Sequence, residues 1–186
     1  FSYYLDAAAE KQLSNWYRHK LYIMDNTAMA EMPDCDICTE IEQAVRAYGV
    51  QFVIVDNLMT ALESEDELYR AQSKFVKKLK ALAQKLQIVI LLVAHPRKNN
   101  GKELENDDIS GSGDITNLSD TVISLDRTNP KQAGEKAITL LSVRKNRATG
   151  VLLTGKERVE ILHNKRSKRL YQKNSDGKAY SFPFKA

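Results

Sequence analysis

Phe52-Val53-Ile54-Val55-Asp56 is a β-branched run that ends in an acid, and Ile88-Val89-Ile90-Leu91-Leu92-Val93-Ala94-His95 is a second apolar run that ends in a histidine. Neither run alternates apolar with polar. A strand that is apolar at every position reads as one covered on both faces, which is the habit of parallel sheets. The stretch between them, Glu65 to Leu86, has a different period. Leu68, Ala71, Phe75, Val76, Leu79, Leu82, Ala83 and Leu86 fall on one helical face, and Lys74, Lys77, Lys78 and Lys80 lie mostly off it. Strand, amphipathic helix and strand in that order predict an α/β domain with a mostly parallel central sheet flanked by helices.

Upstream, Asp36 to Tyr48 predicts a helix, with Ile37, Ile41, Ala44, Val45 and Tyr48 at helical spacing and Gly49 as its stop. Residues 6–19 read as a further helix and Lys20 to Met24 as a short strand. Downstream, Pro96 to Gly113 is long, polar and glycine-bearing, and a loop of that length inside a compact domain is usually functional or disordered. Thr121 to Leu125 and Ala137 to Val143 read as strands. Residues 158–163 and 169–172 read as a C-terminal β-hairpin around Asn164-Lys165-Arg166-Ser167. The tail 173–186 carries no assignable pattern. No repeat or low-complexity segment interrupts the chain, so one domain spanning 1–186 is the simplest expectation.

The 186 residues suffice for one core, and 42% hydrophobic with 28% charged residues is ordinary globular composition. No stretch approaches the roughly 18 to 20 apolar residues that cross a bilayer. The opening, Phe1-Ser2-Tyr3-Tyr4-Leu5-Asp6, has neither the basic segment nor the apolar segment of a secretion signal. It also lacks an initiator methionine, which fits a fragment or a processed chain. Cys35 and Cys38 form one C-x-x-C, but a structural zinc site needs a second ligand pair, so two small residues at a helix start in a reducing compartment is the simpler reading. Charge is uneven: residues 1–66 hold 4 Lys/Arg and 12 Asp/Glu, while residues 67–186 hold 24 and 12. A basic half of this kind suits a polyanion partner.

Ligands of doubly wound sheets sit at the carboxyl ends of strands. Asp56 and His95 stand directly after the two apolar runs. An Asp in that place can orient a Mg2+-bound water beside phosphates, or it can simply cap a strand end. Arg144-Lys145-Asn146-Arg147-Ala148-Thr149-Gly150 follows the strand 137–143. A positioned Arg can meet phosphate oxygens with its fork of donors, although a solvated basic turn has the same composition.

The ordered set of these elements, together with Asp108-Ile109-Ser110-Gly111-Ser112-Gly113-Asp114-Ile115-Thr116-Asn117-Leu118-Ser119-Asp120-Thr121, resembles the signature of DnaB-type ring helicases. The likeness is strongest to the phage primase–helicases and the mitochondrial Twinkle helicase, and it runs from about residue 37 to 172. Phe52 to Leu58 is similar to the family's Walker B strand, Val93-Ala94-His95 to its phosphate-sensing strand, and Ser142 to Gly150 to its arginine-finger strand. The resemblance implies a RecA-like fold. It also implies that the chain is the distal, C-terminal part of a motor that couples ATP hydrolysis to translocation on single-stranded DNA and to duplex unwinding.

By that resemblance Asp56 orients the Mg2+ water, His95 senses the γ-phosphate, and Arg147, with Lys145 beside it, reaches the ATP of the adjacent subunit. Loop 96–113 would grip DNA, with Arg97, Lys98, Lys102, Gly111 and Gly113 as its contact residues. Asn117 stands where the family usually has a Gln sensor. The partners implied are single-stranded DNA, further copies in a hexameric ring, and a primase. The compartment implied is the cytoplasm of a bacterial or phage-infected cell, with the mitochondrion as the alternative.

No G-x-x-x-x-G-K-[ST] occurs in the sequence, and no position matches the family's catalytic Glu. The cofactors, ATP and Mg2+, are therefore expected to bind the intact protein and not this chain tightly, and the chain alone is expected to be inactive. Two other readings accommodate the missing loop: a catalytically dead RecA-like DNA-binding or helicase-accessory module, or a recombinase-like ATPase of the same fold. Arg147 is expected to be exposed, without a buried carboxylate partner.

Overall fold

The computed structural model describes residues 6–25, 36–57, 65–95, 113–128, 138–164 and 170–172. The chain divides into two compact units, one holding the described residues before Gln51 and one spanning residues 51–178.

The first unit contains two helices, α1 (Ala7–Tyr17) and α2 (Ile37–Tyr48). Each begins at an aspartate whose carboxylate satisfies an otherwise unpaired first-turn amide. Asp6 accepts from the Ala9 N–H at 2.7 Å, and Asp36 from the Cys38 N–H at 3.2 Å. Helix α2 stops at Gly49, whose φ of 67° is the left-handed conformation that ends helices, with its N–H donating to the Val45 carbonyl. The strand expected at Lys20–Met24 is absent. The amides of Lys20 and Leu21 turn back onto the Tyr17 carbonyl, and Tyr22 stacks on Tyr48 at 4.6 Å between ring centroids. A strand needs a ladder partner, and the described part of this unit offers only helices.

The second unit opens with β1 (Phe52–Asp56), continues through α3 (Glu65–Leu86), and returns in β2 (Val89–Val93). The two strands pair in parallel, from Phe52 opposite Val89 to Asp56 opposite Val93, as the βαβ pattern requires. Helix α3 packs through Val76, Leu79 and Leu82, the apolar stripe read from the sequence. The expected cover on both faces is not complete among the described residues: Phe52, Ile54, Val89 and Leu91 share an exposed face of the pair.

A short helix, α4 (Gly113–Leu118), then leads into β3 (Thr121–Arg127), β4 (Thr139–Asn146), β5 (Val159–His163) and β6 (Leu170–Gln172). These four strands form one antiparallel sheet in chain order, so β5 and β6 make the expected hairpin. The mostly parallel central sheet is thus corrected. The described strands form one parallel pair and one antiparallel sheet of four. The reason is local pairing at the strand ends. A parallel crossover takes about a dozen residues or more, usually with a helix. The connection from β3 to β4 is instead clamped at its base, where the Thr128 N–H donates to the Ile138 carbonyl at 2.8 Å and the Ile138 N–H to Thr128 Oγ1 at 2.9 Å. Helix α4 was not anticipated. It is seated by Ile115, which forms a buried cluster with Val76 of α3, flanked by Phe75, Leu92, Ala94 and Leu118.

Candidate functional site

The carboxyl ends of β1 and β2 carry the first two candidates. The parallel register sets Asp56 level with Val93, and His95 follows two residues beyond, both side chains being exposed. Among the described residues neither enters a side-chain hydrogen bond or ion pair. Both stand at the carboxyl ends of the parallel pair.

The remaining candidates converge elsewhere, on the end of α4. The last carbonyls of a helix have no partner within it and carry its partial negative charge. Here three cations supply what is missing. Lys145 Nζ donates to the carbonyls of Thr116 at 2.6 Å and Asn117 at 3.0 Å. Arg147 Nη2 donates to the Asn117 carbonyl at 2.7 Å, and Lys80 Nζ of α3 to that of Leu118 at 2.8 Å. Asp120 closes the cluster, with its Oδ1 2.9 Å from Lys80 Nζ and 3.3 Å from Arg147 Nη1. The Arg147 main chain is tied to the same residue, its N–H donating to the Asp120 carbonyl at 2.9 Å.

The cluster's electrostatics follow from its composition. The hydrogen bond from Lys80 and the charges of Lys80 and Arg147 hold the Asp120 carboxyl below its ordinary value. Burial of the Lys145 ammonium, and then the charges of Arg147 and Lys80, pull its pKa below that of an ordinary lysine, against the opposing pull of Asp120.

Local geometry aims these side chains. In the β3–β4 register Val122 faces Lys145 but Ile123 faces Val143, which leaves Arg144 as the extra residue of a bulge. Bulges redirect neighbouring side chains. Arg144 turns to Ser124 Oγ at 2.8 Å and to Asp126 at 3.5 Å, where it is only 11% exposed. It is the structural arginine of the segment. Beyond Arg147 the turn is held by Asn146, which donates to Thr149 Oγ1 and accepts from the Thr149 N–H. Gly150, at φ 71°, then reverses the chain and donates to the Asn146 carbonyl.

Of the sequence candidates, the structure brings Asn117, Lys145 and Arg147 together and sets Asp56 and His95 on a second edge. Gly113 is the first residue of α4. Arg97, Lys98, Lys102 and Gly111 lie outside the described residues. Asn117 contributes its main-chain carbonyl to the cluster, a role independent of its side chain. Arg147 meets the expectation in being 49% exposed with a carboxylate partner that is itself 66% exposed, but it is engaged within its own chain rather than free. Lys80 and Asp120 were not singled out from the sequence. Asp120 stood within the quoted motif, and Lys80 is one of several lysines off the apolar face of α3.

The family model described as the DnaB-like helicase C terminal domain matches residues 5–170 of this chain. No curated protein matches. Among solved structures, one described as the ATPase domain of another protein aligns over 72% of this chain with a TM-score of 0.57 at 21% identity. That likeness shows a shared fold, and the chain spans about half of that structure, 49% of its length. The match over residues 5–170 decides membership: the chain belongs to the DnaB-like helicase C-terminal domain family, whose fold is that of a RecA-like ATPase.

Proposed function

We propose that this chain supplies the distal part of a ring-helicase motor, in which ATP hydrolysis drives movement along single-stranded DNA. In this reading Asp56 orients a Mg2+-bound water, His95 senses the terminal phosphate, and Lys145 with Arg147 stabilises charge on the ATP of the adjoining subunit. Asn117 presents the two cations through its carbonyl, and the segment 96–113 grips DNA through Arg97, Lys98 and Lys102, with Gly111 and Gly113 allowing close approach. The working assembly is a hexameric ring.

The observation that supports this best is the state of Arg147. Among the described residues it is held at two points, through Nη1 and Nη2, and the side chain stays half exposed. A donor fork organised in that way suits a phosphate brought by another molecule. A solvated basic turn would not be tied to α4, and Arg144 shows what a structural arginine looks like in the strand just before it.

The fit to Mg-ATP is partial. One exposed carboxylate at a strand end suits a metal-bound water, and two cations suit phosphate oxygens. No phosphate loop occurs in the 186 residues, so tight nucleotide binding requires residues beyond these. Mg2+, when bound, would neutralise charge on the phosphates; this chain's part is to place Asp56, His95 and the cation pair.

Phosphate release in the presence of single-stranded DNA tests the proposal. The ring-forming protein should turn over, Asp56→Ala and Arg147→Ala should each remove most of that activity, and residues 1–186 alone should show none. Turnover by residues 1–186 that depends on Asp56 would contradict it, as would a ring-forming protein indifferent to both substitutions. The same assay separates the dead-module reading, under which no form of the protein hydrolyses ATP.

A further inference from the structure

The cluster at the end of α4 contains two residues with no role in the reading above. We infer that Asp120, held in place by Lys80, is a positioning residue for Arg147. This inference rests on the proposed function, in which Arg147 acts on a neighbour's phosphate.

The case begins with how Asp120 is tied. It contacts Arg147 twice, once through the main chain, where its carbonyl accepts the Arg147 N–H at 2.9 Å, and once through Oδ1, 3.3 Å from Nη1. One residue therefore fixes both ends of a long side chain. The Asn117 carbonyl adds a third point at 2.7 Å, on the other terminal nitrogen. Arginine carries about 2 kcal/mol of rotamer entropy, and a guanidinium pinned at both ends has lost much of it before any phosphate arrives.

Lys80 accounts for why Asp120 stays in place. Its ammonium joins the Leu118 carbonyl to Asp120 Oδ1, and it is itself only 24% exposed. It comes from α3, the helix whose Val76 packs on Ile115 of α4, so Asp120 is referenced to the packed core rather than to a surface loop. Lys145 occupies the carbonyls of Thr116 and Asn117. The four charges thus form a bracket: Lys80 sets Asp120, Asp120 and Asn117 set Arg147, and Lys145 lies alongside.

The bracket positions Arg147 rather than sequestering it. A sequestered arginine loses its exposure, as Arg144 does beside Ser124 and Asp126, where it is 11% exposed. Arg147 keeps half its surface, 49% of the side chain being exposed. An exposed carboxylate is also a weak competitor for a guanidinium, whereas a phosphate offers a charge-assisted forked contact. Asp120 can therefore hold the side chain ready without withholding it.

The experiment has two arms. In the ring-forming protein, Asp120→Ala should lower kcat about fivefold, the scale of one exposed ion pair, with the KM for ATP unchanged, because the interaction supported is made in the transition state. Asp120→Asn, which keeps an acceptor but not the charge, should fall between. In an Arg147→Ala background Asp120→Ala should cost nothing further, a coupling that a merely structural residue would not show. In residues 1–186, nitrogen-15 spectra of the guanidinium groups should show slowed rotation of Arg147 and its release by Asp120→Ala. Unchanged kcat in Asp120→Ala, an additive loss on top of Arg147→Ala, or free rotation of Arg147 in the unsubstituted chain would each overturn the inference while leaving the proposed function standing. Full kcat in Arg147→Ala alone would remove the proposed function, and the positioning role of Asp120 with it.

Discussion

Replacing Ile115 by Ala tests whether packing or charge seats α4. Ile115 is 4% exposed and meets Val76 in a buried pair, with Phe75, Leu92, Ala94 and Leu118 around it. The three cations at the helix end are partly or largely solvated, and exposed ion pairs contribute at most about 1 kcal/mol each. Truncating a buried Ile to Ala costs about 2–5 kcal/mol through lost burial and the cavity left behind. A helix of six residues has almost no intrinsic stability in water, so its place depends on this contact. Ile115→Ala should therefore lower the unfolding free energy of residues 1–186 by about 3 kcal/mol. At about 2–4 °C per kcal/mol for a chain of this size, the melting temperature should fall by roughly 6–12 °C. Lys145→Met, which removes a charge but keeps the apolar stem, should change stability by less than about 1 kcal/mol. Urea unfolding followed by circular dichroism measures both, and amide exchange in α4 should speed up in Ile115→Ala first. If Ile115→Ala costs less than Lys145→Met, the charged bracket and not the core holds α4, and the packing argument is wrong.

Two further outcomes follow from the site. Lys145 should titrate below the ordinary lysine value of 10.5, because burial and the nearby cations disfavour its charged form. Folding then disfavours protonation, so this residue's unfavourable contribution is present at neutral pH and is relieved as pH rises through the lowered value toward 10.5; Asp120→Asn should lower the Lys145 value further, and side-chain nuclear magnetic resonance showing titration at or above the ordinary value would refute the reading. Replacing Arg97 and Lys98 by Ala in the ring-forming protein should weaken binding to single-stranded DNA and reduce the salt slope by roughly one to two units, since fewer counterions are released; an unchanged slope would remove the segment 96–113 from the DNA contact.

The long elements were legible in the sequence because their signals are strong. Helix α3 occupies Glu65–Leu86 as its apolar stripe indicates, and α2 stops at Gly49, where a left-handed residue was needed. Strand direction was legible only in part: the two apolar runs joined through a helix are parallel as read, whereas Thr121–Arg127 and Thr139–Asn146 pair antiparallel, a direction that no apolar pattern in them signals. Helix α4 escaped notice because six residues cannot display a period, and its order comes from Val76, far away in sequence. The strand expected at Lys20–Met24 failed for the complementary reason, since local propensity cannot supply a pairing partner.

The site divides along the same line. Lys145 and Arg147 were legible as cations placed directly after a strand, and Asp56 and His95 as polar residues ending apolar runs. Asp120 and Lys80 were not, because their significance lies in a meeting across 40 residues of chain. On α3, Lys80 looks like the other lysines until the end of α4 is placed beside it.

The central claim is that Arg147 works on a nucleotide bound by another subunit while Asp56 works on its own. Subunit mixing tests it most directly. Rings of Asp56→Ala subunits and rings of Arg147→Ala subunits should each be nearly inactive. Mixed rings contain interfaces where an Asp56→Ala subunit lends its intact Arg147 to the nucleotide of an Arg147→Ala subunit with intact Asp56. DNA-stimulated ATPase activity should therefore reappear on mixing and peak at intermediate ratios. If mixed rings form, as shown by mass measurement, and no ratio restores activity, Arg147 does not act between subunits and the account is contradicted.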